Sequence, residues 1–290
     1  MSRQHAEGWS RRQLLAGLTL AGTAGLLGRH PRPVVAAPPP ETTRVRLSKN
    51  PGICIAPQDV AEEFLPLEGF TEVQDVGVGI THLASIQRDL ASGALDIRTT
   101  FAPLSIIQVD AGPPIIFLEG VHVGCFELFG TERVQAIRDL KGKTVAVPEQ
   151  GGAHHLFLAS MAPYVGLDPR QDITWGLQPP AESIPLLAAG KIDALIGFPP
   201  VPQELRAKKS GHVVVNSGVD RPWSQYFCCL VAGNRDFVRK HPVATKRALR
   251  AMLKATDVCA LEPDRAAQRI VDRGFTPRYD YALQAMQEPP

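Results

Sequence analysis

The sequence predicts an α/β protein in two lobes with a cleft between them. Three observations carry that expectation. Apolar runs of strand length alternate with amphipathic helical patterns from about residue 45 onward, which argues for mainly parallel sheets. The alternation falls into two blocks, about 45–127 and 131–220, parted by a charged break at 131–143. A late apolar run at 227–232 suits a return of the chain to the first block. With 290 residues, 44% of them hydrophobic, there is apolar material for a real core.

Taken in order, Val45-Arg46-Leu47 reads as a strand and 58–67 as a helix, with Val60, Ala61, Phe64 and Leu65 on one face. Residues 72–78 read as a strand and 82–90 as a helix carrying Leu83, Ile86 and Leu90 in register. A strand at 96–101 leads into a helix at 103–110, opened by Pro103 in its first turn. The apolar run 115–128 contains Gly120 and Gly124 and is too glycine-broken for one helix. In the second block strands are expected at 144–147, 172–177, 194–198 and 212–215, with helices at 154–164, 182–189 and 202–209. A helical tail follows over 235–273, broken by Pro242 and Pro263 and closed by Gly274.

The formal net charge is +2 and only 6% of residues are aromatic, which disfavours a nucleic-acid partner. The basic charge sits at the start. Residues 1–37 hold Arg3, Arg11, Arg12, Arg29 and Arg32 against the single acid Glu7, so the remaining chain is slightly acidic. Arg11-Arg12 precede an apolar run, Leu14 to Leu27, and small residues follow at Val34-Val35-Ala36-Ala37. That is the layout of a twin-arginine export signal cleaved near Ala36 or Ala37, giving a periplasmic protein. The run is too short to span a bilayer. A stiff proline-rich lead-in, 38–43, comes next.

Common catalytic signatures fail. Gly77-Val78-Gly79 has His82 where a dinucleotide fingerprint needs its third glycine, and there is no phosphate loop, GxSxG, HExxH or CxxC. His154-His155 diverge by about 100° on a helix and cannot readily grip one ion. His122 and Cys125 have a ligand-like spacing but no further partner in the sequence. Cys228-Cys229 on a regular strand point to opposite faces, so at most one faces a cleft. Five cysteines are an odd set for a disulfide framework, though some could pair.

The binding candidates lie on loops at strand ends. Pro148 to His154 joins a strand to a helix and offers Gln150, Gly151, Gly152 and His154; the amides at such a helix start suit an anion. Arg221 to Tyr226 brings Trp223, Ser224, Gln225 and Tyr226 into a crossover. Asn50 to Gln58 supplies Cys54 and Gln58, while Phe101 and Phe198 end strands and could wall a pocket. Cys125 completes the ligand-binding set. Each segment also has a purely structural reading, as a capped loop, a buried turn or a rigid connection. Arg221 is the one guanidinium in these loops, and Arg98 could point either way from its strand.

Four stretches carry a family resemblance: Val121 to Phe129 (VHVGCFELF), Leu140 to Val145 (LKGKTV), Gly190 to Ala194 (GKIDA) and Arg221 to Cys229 (RPWSQYFCC). From about residue 44 to the end the chain resembles ABC-transporter substrate-binding proteins of the nitrate/sulfonate/taurine type, a group similar to thiamine-pyrimidine precursor-binding proteins. The resemblance implies a two-lobed, type II-like periplasmic binding fold that closes on a small solute. It implies lobe 1 at 44–128 plus 226–290 and lobe 2 at 129–225, hinged near Phe129-Gly130 and near Asp220 to Gln225. Such proteins usually continue past the point where this chain stops. The implied role is capture of a small polar or weakly anionic organic solute, sulfonate-, nitrate- or pyrimidine-like, for an ABC permease and its ATPase. The protein is expected to act as a monomer, without catalysis, cofactor or metal. A pyrimidine-precursor-handling enzyme on the same fold, or a periplasmic sensor subunit, are the alternatives.

Overall fold

The first apolar run forms β1, Arg44–Lys49, which pairs in parallel with β2, Glu72–Gly77. The computed structural model describes residues 38–49, 52–77 and 83–288, and the fold is that of the unit Pro39–Pro290. The export leader at 1–37, its cleavage point and most of the glycine turn after β2 lie outside the described residues. Between β1 and β2 a 3-10 turn, Ile53–Ile55, runs into α1, Ala56–Ala61. Pro57 in the first turn starts this helix two residues earlier than periodicity predicts, and it gives way to turns before Phe64.

Helix α2, Leu83–Ser92, leads to β3, Ile97–Phe101, which is buried along its whole length. Helix α3, Ala102–Asp110, follows directly. The glycine-broken run resolves into two strands, β4, Ile115–Val123, and β5, Glu127–Gly130. They belong to different sheets. β4 pairs antiparallel with β10, Phe227–Asn234, which pairs on its other side with β3. β5 lies between β8 and β9 in the order β7-β6-β8-β5-β9, with β6 at Lys143–Val147, β7 at Ile173–Leu177, β8 at Ala194–Gly197 and β9 at His212–Asn216.

The sheets are therefore mixed. β6 runs parallel to β7 and β8, but β5 is antiparallel to both its neighbours, and β10 to both of its own. The reason is the pair of crossovers: a chain that passes into a second sheet and returns enters each against the local direction. Between the strands of the five-stranded sheet run α4, Ala153–Met161, α5, Pro180–Ala188, and α6, Val201–Ala207.

The tail is α7, Arg235–Lys240, α8, Pro242–Leu261, and α9, Pro263–Asp272, with Pro242 and Pro263 opening helices. Asn234 sets the first of these: its Oδ1 accepts from Asp236 N and Phe237 N, both at 3.0 Å, and its Nδ2 donates to Leu90 O at 2.9 Å. A further helix, α10, Tyr279–Gln287, was not apparent from the periodicity, which ends at Gly274. It packs on α9 and reaches the second sheet, where Gln203 and Arg206 of α6 bond Glu288.

Arg269 of α9 and Arg273, just past its end, bind Asp59 of α1 and Glu62 at the end of that helix. Burial, with the Asp75 carboxylate adding to it, pushes Glu62 up to about 7, against the pull of Arg273. Among the described residues no helix is long and apolar enough to cross a membrane.

The crossovers meet backbone to backbone. Gly124 has φ +62°, and a Cβ there would lie 2.3 Å from Gly218 Cα. Ser217 Oγ accepts from Cys125 N at 3.1 Å and Phe126 N at 3.0 Å, fastening one crossover to the other. Gly124→Ala combines left-handed strain with a backbone clash. It is expected to cost about 2 kcal/mol or more in urea unfolding; an unchanged midpoint would remove this contact from the fold's requirements.

Candidate functional site

The carboxyl ends of β3, β6 and β8 converge on one aromatic cluster. Phe101 closes β3, Phe198 follows β8, and His154 lies in the first turn of α4 after β6. The Phe101 and Phe198 ring centroids are 5.4 Å apart, and His154 stacks on Phe198 at 4.7 Å. Phe126, on the outgoing crossover, meets Phe101 at 5.8 Å and the His154 ring edge-on at 5.3 Å. Phe157 stacks on Phe126 at 4.9 Å, and beyond it stands Trp223 at 6.3 Å. Cys54 and Ile55, from the turn after β1, are buried in the same cluster.

The structure thus gathers Cys54, Phe101, His154 and Phe198, with Trp223 one ring further out. It does not gather the rest. Gln58 is buried and spent: its Nε2 donates to Ser48 O and its Oε1 accepts from Thr99 N, both at 2.5 Å. It ties β1 to β3 and offers nothing to a solute. Gln150, Gln225 and Tyr226 are exposed, Tyr226 by 63%, and Ser224 is half-buried beside them. At the glycine turn Gly151 takes φ +77° and Gly152 caps α4, but Gly151 N donates to His155 Nδ1 at 3.2 Å. One amide expected to meet a ligand is already engaged.

Cys125 is bonded to Cys228, so the two crossovers are joined covalently. The β10–β4 ladder slips between Phe227 and Cys229, a β-bulge beside the Cys228–Cys229 pair. Both residues join the same buried cluster. Arg98 points inward and is 2% exposed. Behind the aromatic cluster lies an open cavity of about 460 Å³, walled by Cys54, His122, Cys125, Arg206, Cys259 and Met286. His122 and the Arg206–Glu127 pair were not singled out as binding groups in the sequence; the spacing of His122 from Cys125 was the available signal. Glu127 is held above the usual carboxylate range by burial, against the pull of Arg206.

A model of the NMT1-like family matches residues 126–272, half of the chain. The chain belongs to the NMT1-like family. No curated protein sequence matches this NMT1-like chain. Its architecture is similar to that of solved periplasmic binding proteins. The periplasmic aliphatic sulphonate binding protein SsuA of Escherichia coli superposes with a TM-score of 0.71 at 16% identity, covering 86% of this chain and 80% of that one. The alkanesulfonate-binding protein SsuA of Xanthomonas axonopodis pv. citri, bound to MOPS, gives 0.69 at 17%, covering 86% and 85%. The periplasmic nitrate-binding protein NrtA of Synechocystis PCC 6803 gives 0.69 at 18%, covering 86% and 71%. The NMT1-like chain therefore has the two-lobed periplasmic binding protein fold.

Burial pushes the His154 imidazole down to about 4, so it is neutral at pH 7. The folded protein then binds its proton later than the unfolded chain as pH falls. Stability from this residue is complete above pH 6.5 and is lost toward pH 4. The loss is about 3 kcal/mol. Glu62, raised in the fold, works in the opposite direction over part of this range. A comparison with His154→Phe isolates the imidazole: denaturant unfolding of the two proteins should diverge by that amount between pH 7 and pH 4. Parallel curves would mean His154 is not desolvated.

Proposed function

We propose that this protein is the solute-binding component of an ABC importer and takes its solute between the aromatic walls Phe101 and Phe198. The observation that supports this most is the convergence of strand carboxyl ends from both sheets on one cluster, since ligands of α/β sheets sit outside those ends. The family membership and the likeness to sulfonate- and nitrate-binding proteins support the same reading. The solute is a small polar or weakly anionic organic molecule of the sulfonate, nitrate or pyrimidine-like class. It is delivered to a membrane permease and its ATPase, with no bond made or broken. The protein works as a monomer in the periplasm, exported by its twin-arginine leader.

The lobes in this reading are 44–128 with 226–290, and 129–225. Phe129 and Gly130 are hydrogen-bonded to β8 and β9 on both sides, so the hinge on this crossover belongs at Val123 to Phe126 instead. The return hinge lies between Ser217 and Tyr226. With Phe101 against Phe198 the lobes are closed, and opening separates these rings to admit the solute. His154, Trp223 and the Gly151-Gly152 helix start complete the site, with Ser224, Gln225 and Gln150 at its rim.

Thermal-shift screening against an alkanesulfonate, nitrate, a pyrimidine and an aromatic carboxylate tests this, since a ligand of the native state alone raises Tm. One class is expected to do so. Phe198→Ala should then weaken its binding by about 2 kcal/mol or more, as for a buried aromatic anchor. A screen in which no class shifts Tm, or a binder indifferent to Phe198→Ala, would overturn the assignment.

A further inference from the structure

The five cysteines are not scattered. The sulfurs of Cys54, Cys125 and Cys229 all lie within 4.8 Å of one another. They reach that point from three separate elements: the turn before α1, the outgoing crossover and β10. A cation bonded at about 2.3 Å to each of three sulfurs would set them about 4 Å apart, so less than an ångström of adjustment closes the site.

Several independent features fit a cation there. Cys229 is fully buried and Cys54 is 8% exposed, which keeps competing water out. His122 Nε2 lies 2.8 Å from Cys54 O and Nδ1 3.1 Å from Val123 O; the neutral ring has one N–H to donate, and with it on Nε2 the bond holds Cys54 O. That leaves the donor set all sulfur while fixing the turn that carries Cys54, as outer partners of metal ligands do. Arg98 is 2% exposed, and its Nη1 has no hydrogen-bond partner among the described residues. The open cavity, lined by Cys54 and Cys125, gives an entry path.

We propose that Cys54, Cys125 and Cys229 form a trigonal thiolate site for one soft monovalent cation, Cu(I), available when the Cys125–Cys228 bond is reduced. Three sulfurs without oxygen or nitrogen donors select a soft ion. A dithiol reductant opens the bond: its two thiols become a disulfide, and Cys125 and Cys228 each become thiols. Cu(I) then binds as the ligating thiols pass their protons to solvent, with no electron transferred.

The full-length protein is reduced with dithiothreitol, freed of it without oxygen, and titrated with Cu(I) held by a coloured bidentate competitor. One Cu(I) per chain should leave the competitor, and unreduced protein should take none. Cys54→Ser and Cys229→Ser should each weaken uptake about tenfold or more, while Cys259→Ser, in the cavity wall, retains it. Cys228→Ser leaves Cys125 without its partner and should bind Cu(I) with no reduction step; circular dichroism checks that it is folded. If reduced protein and folded Cys228→Ser both leave the metal on the competitor, the proposal is wrong. Uptake that survives both Cys54→Ser and Cys229→Ser overturns it equally.

Discussion

Strand β10 lies between β3 and β4, and most of what gives the molecule its character follows from that position. It is the strand that returns from the second sheet, so its pairing closes the first sheet around a chain reversal. At Cys229 the ladders meet Phe101 on one side and His122 on the other. An aromatic wall of the cleft and an imidazole of the cavity are thereby set on either flank of one buried thiol. At the far end Asn234 caps α7 and holds the end of α2. Loosening β10 would disturb the cleft wall, the crossovers and the tail helices together.

The aromatic cluster explains why the lobes rest against each other. Burying a phenylalanine contributes about 1.5–3 kcal/mol, and an edge or offset ring pair adds about 1 kcal/mol. Separating Phe101 from Phe198 gives up part of that, and His154 would be exposed with them. A molecule that holds the lobes closed has to replace ring contact with ring contact. Walls of this kind suit a solute with an apolar or flat body, its polar end turned toward the helix start at Gly152.

Much of this was legible in the sequence, for identifiable reasons. Periodicity located most of the strands, β3 and β8 most plainly because every residue in them is buried, but it left β4 and β5 together as one glycine-broken apolar run. Phe101, His154 and Phe198 were reachable because each follows a strand that the pattern marks. The failures have physical causes as well. Gln58 looked like a ligand group, and only the geometry of two strands shows both ends of its amide taken. The bulge beside Cys228 leaves no composition signature. Helix α10 is short and lies beyond a glycine stop, so its packing and not its own pattern makes it a helix. The sulfur cluster unites residues far apart in the chain, a proximity that spacing cannot express.

The Cys125–Cys228 bond encloses a segment of 103 residues, and the entire five-stranded sheet lies within it. A crosslink over such a loop stabilises by about 5 kcal/mol in the chain-entropy account, through the unfolded state. Reduction gives up that contribution, and it also frees the crossovers to move apart. A cation on Cys54, Cys125 and Cys229 would join the outgoing crossover to β10 again, this time through Cys229 and the turn before α1. The two chemistries act at one joint and exclude each other, because both use the sulfur of Cys125. The metal-bound form recovers a crosslink only where the cation is tightly held, since its stabilisation grows with the logarithm of its concentration over its Kd. The oxidised protein has its constraint whatever the surroundings supply. Which constraint operates is therefore set by the thiol–disulfide balance around the protein, while the ring contacts of the cleft draw on neither.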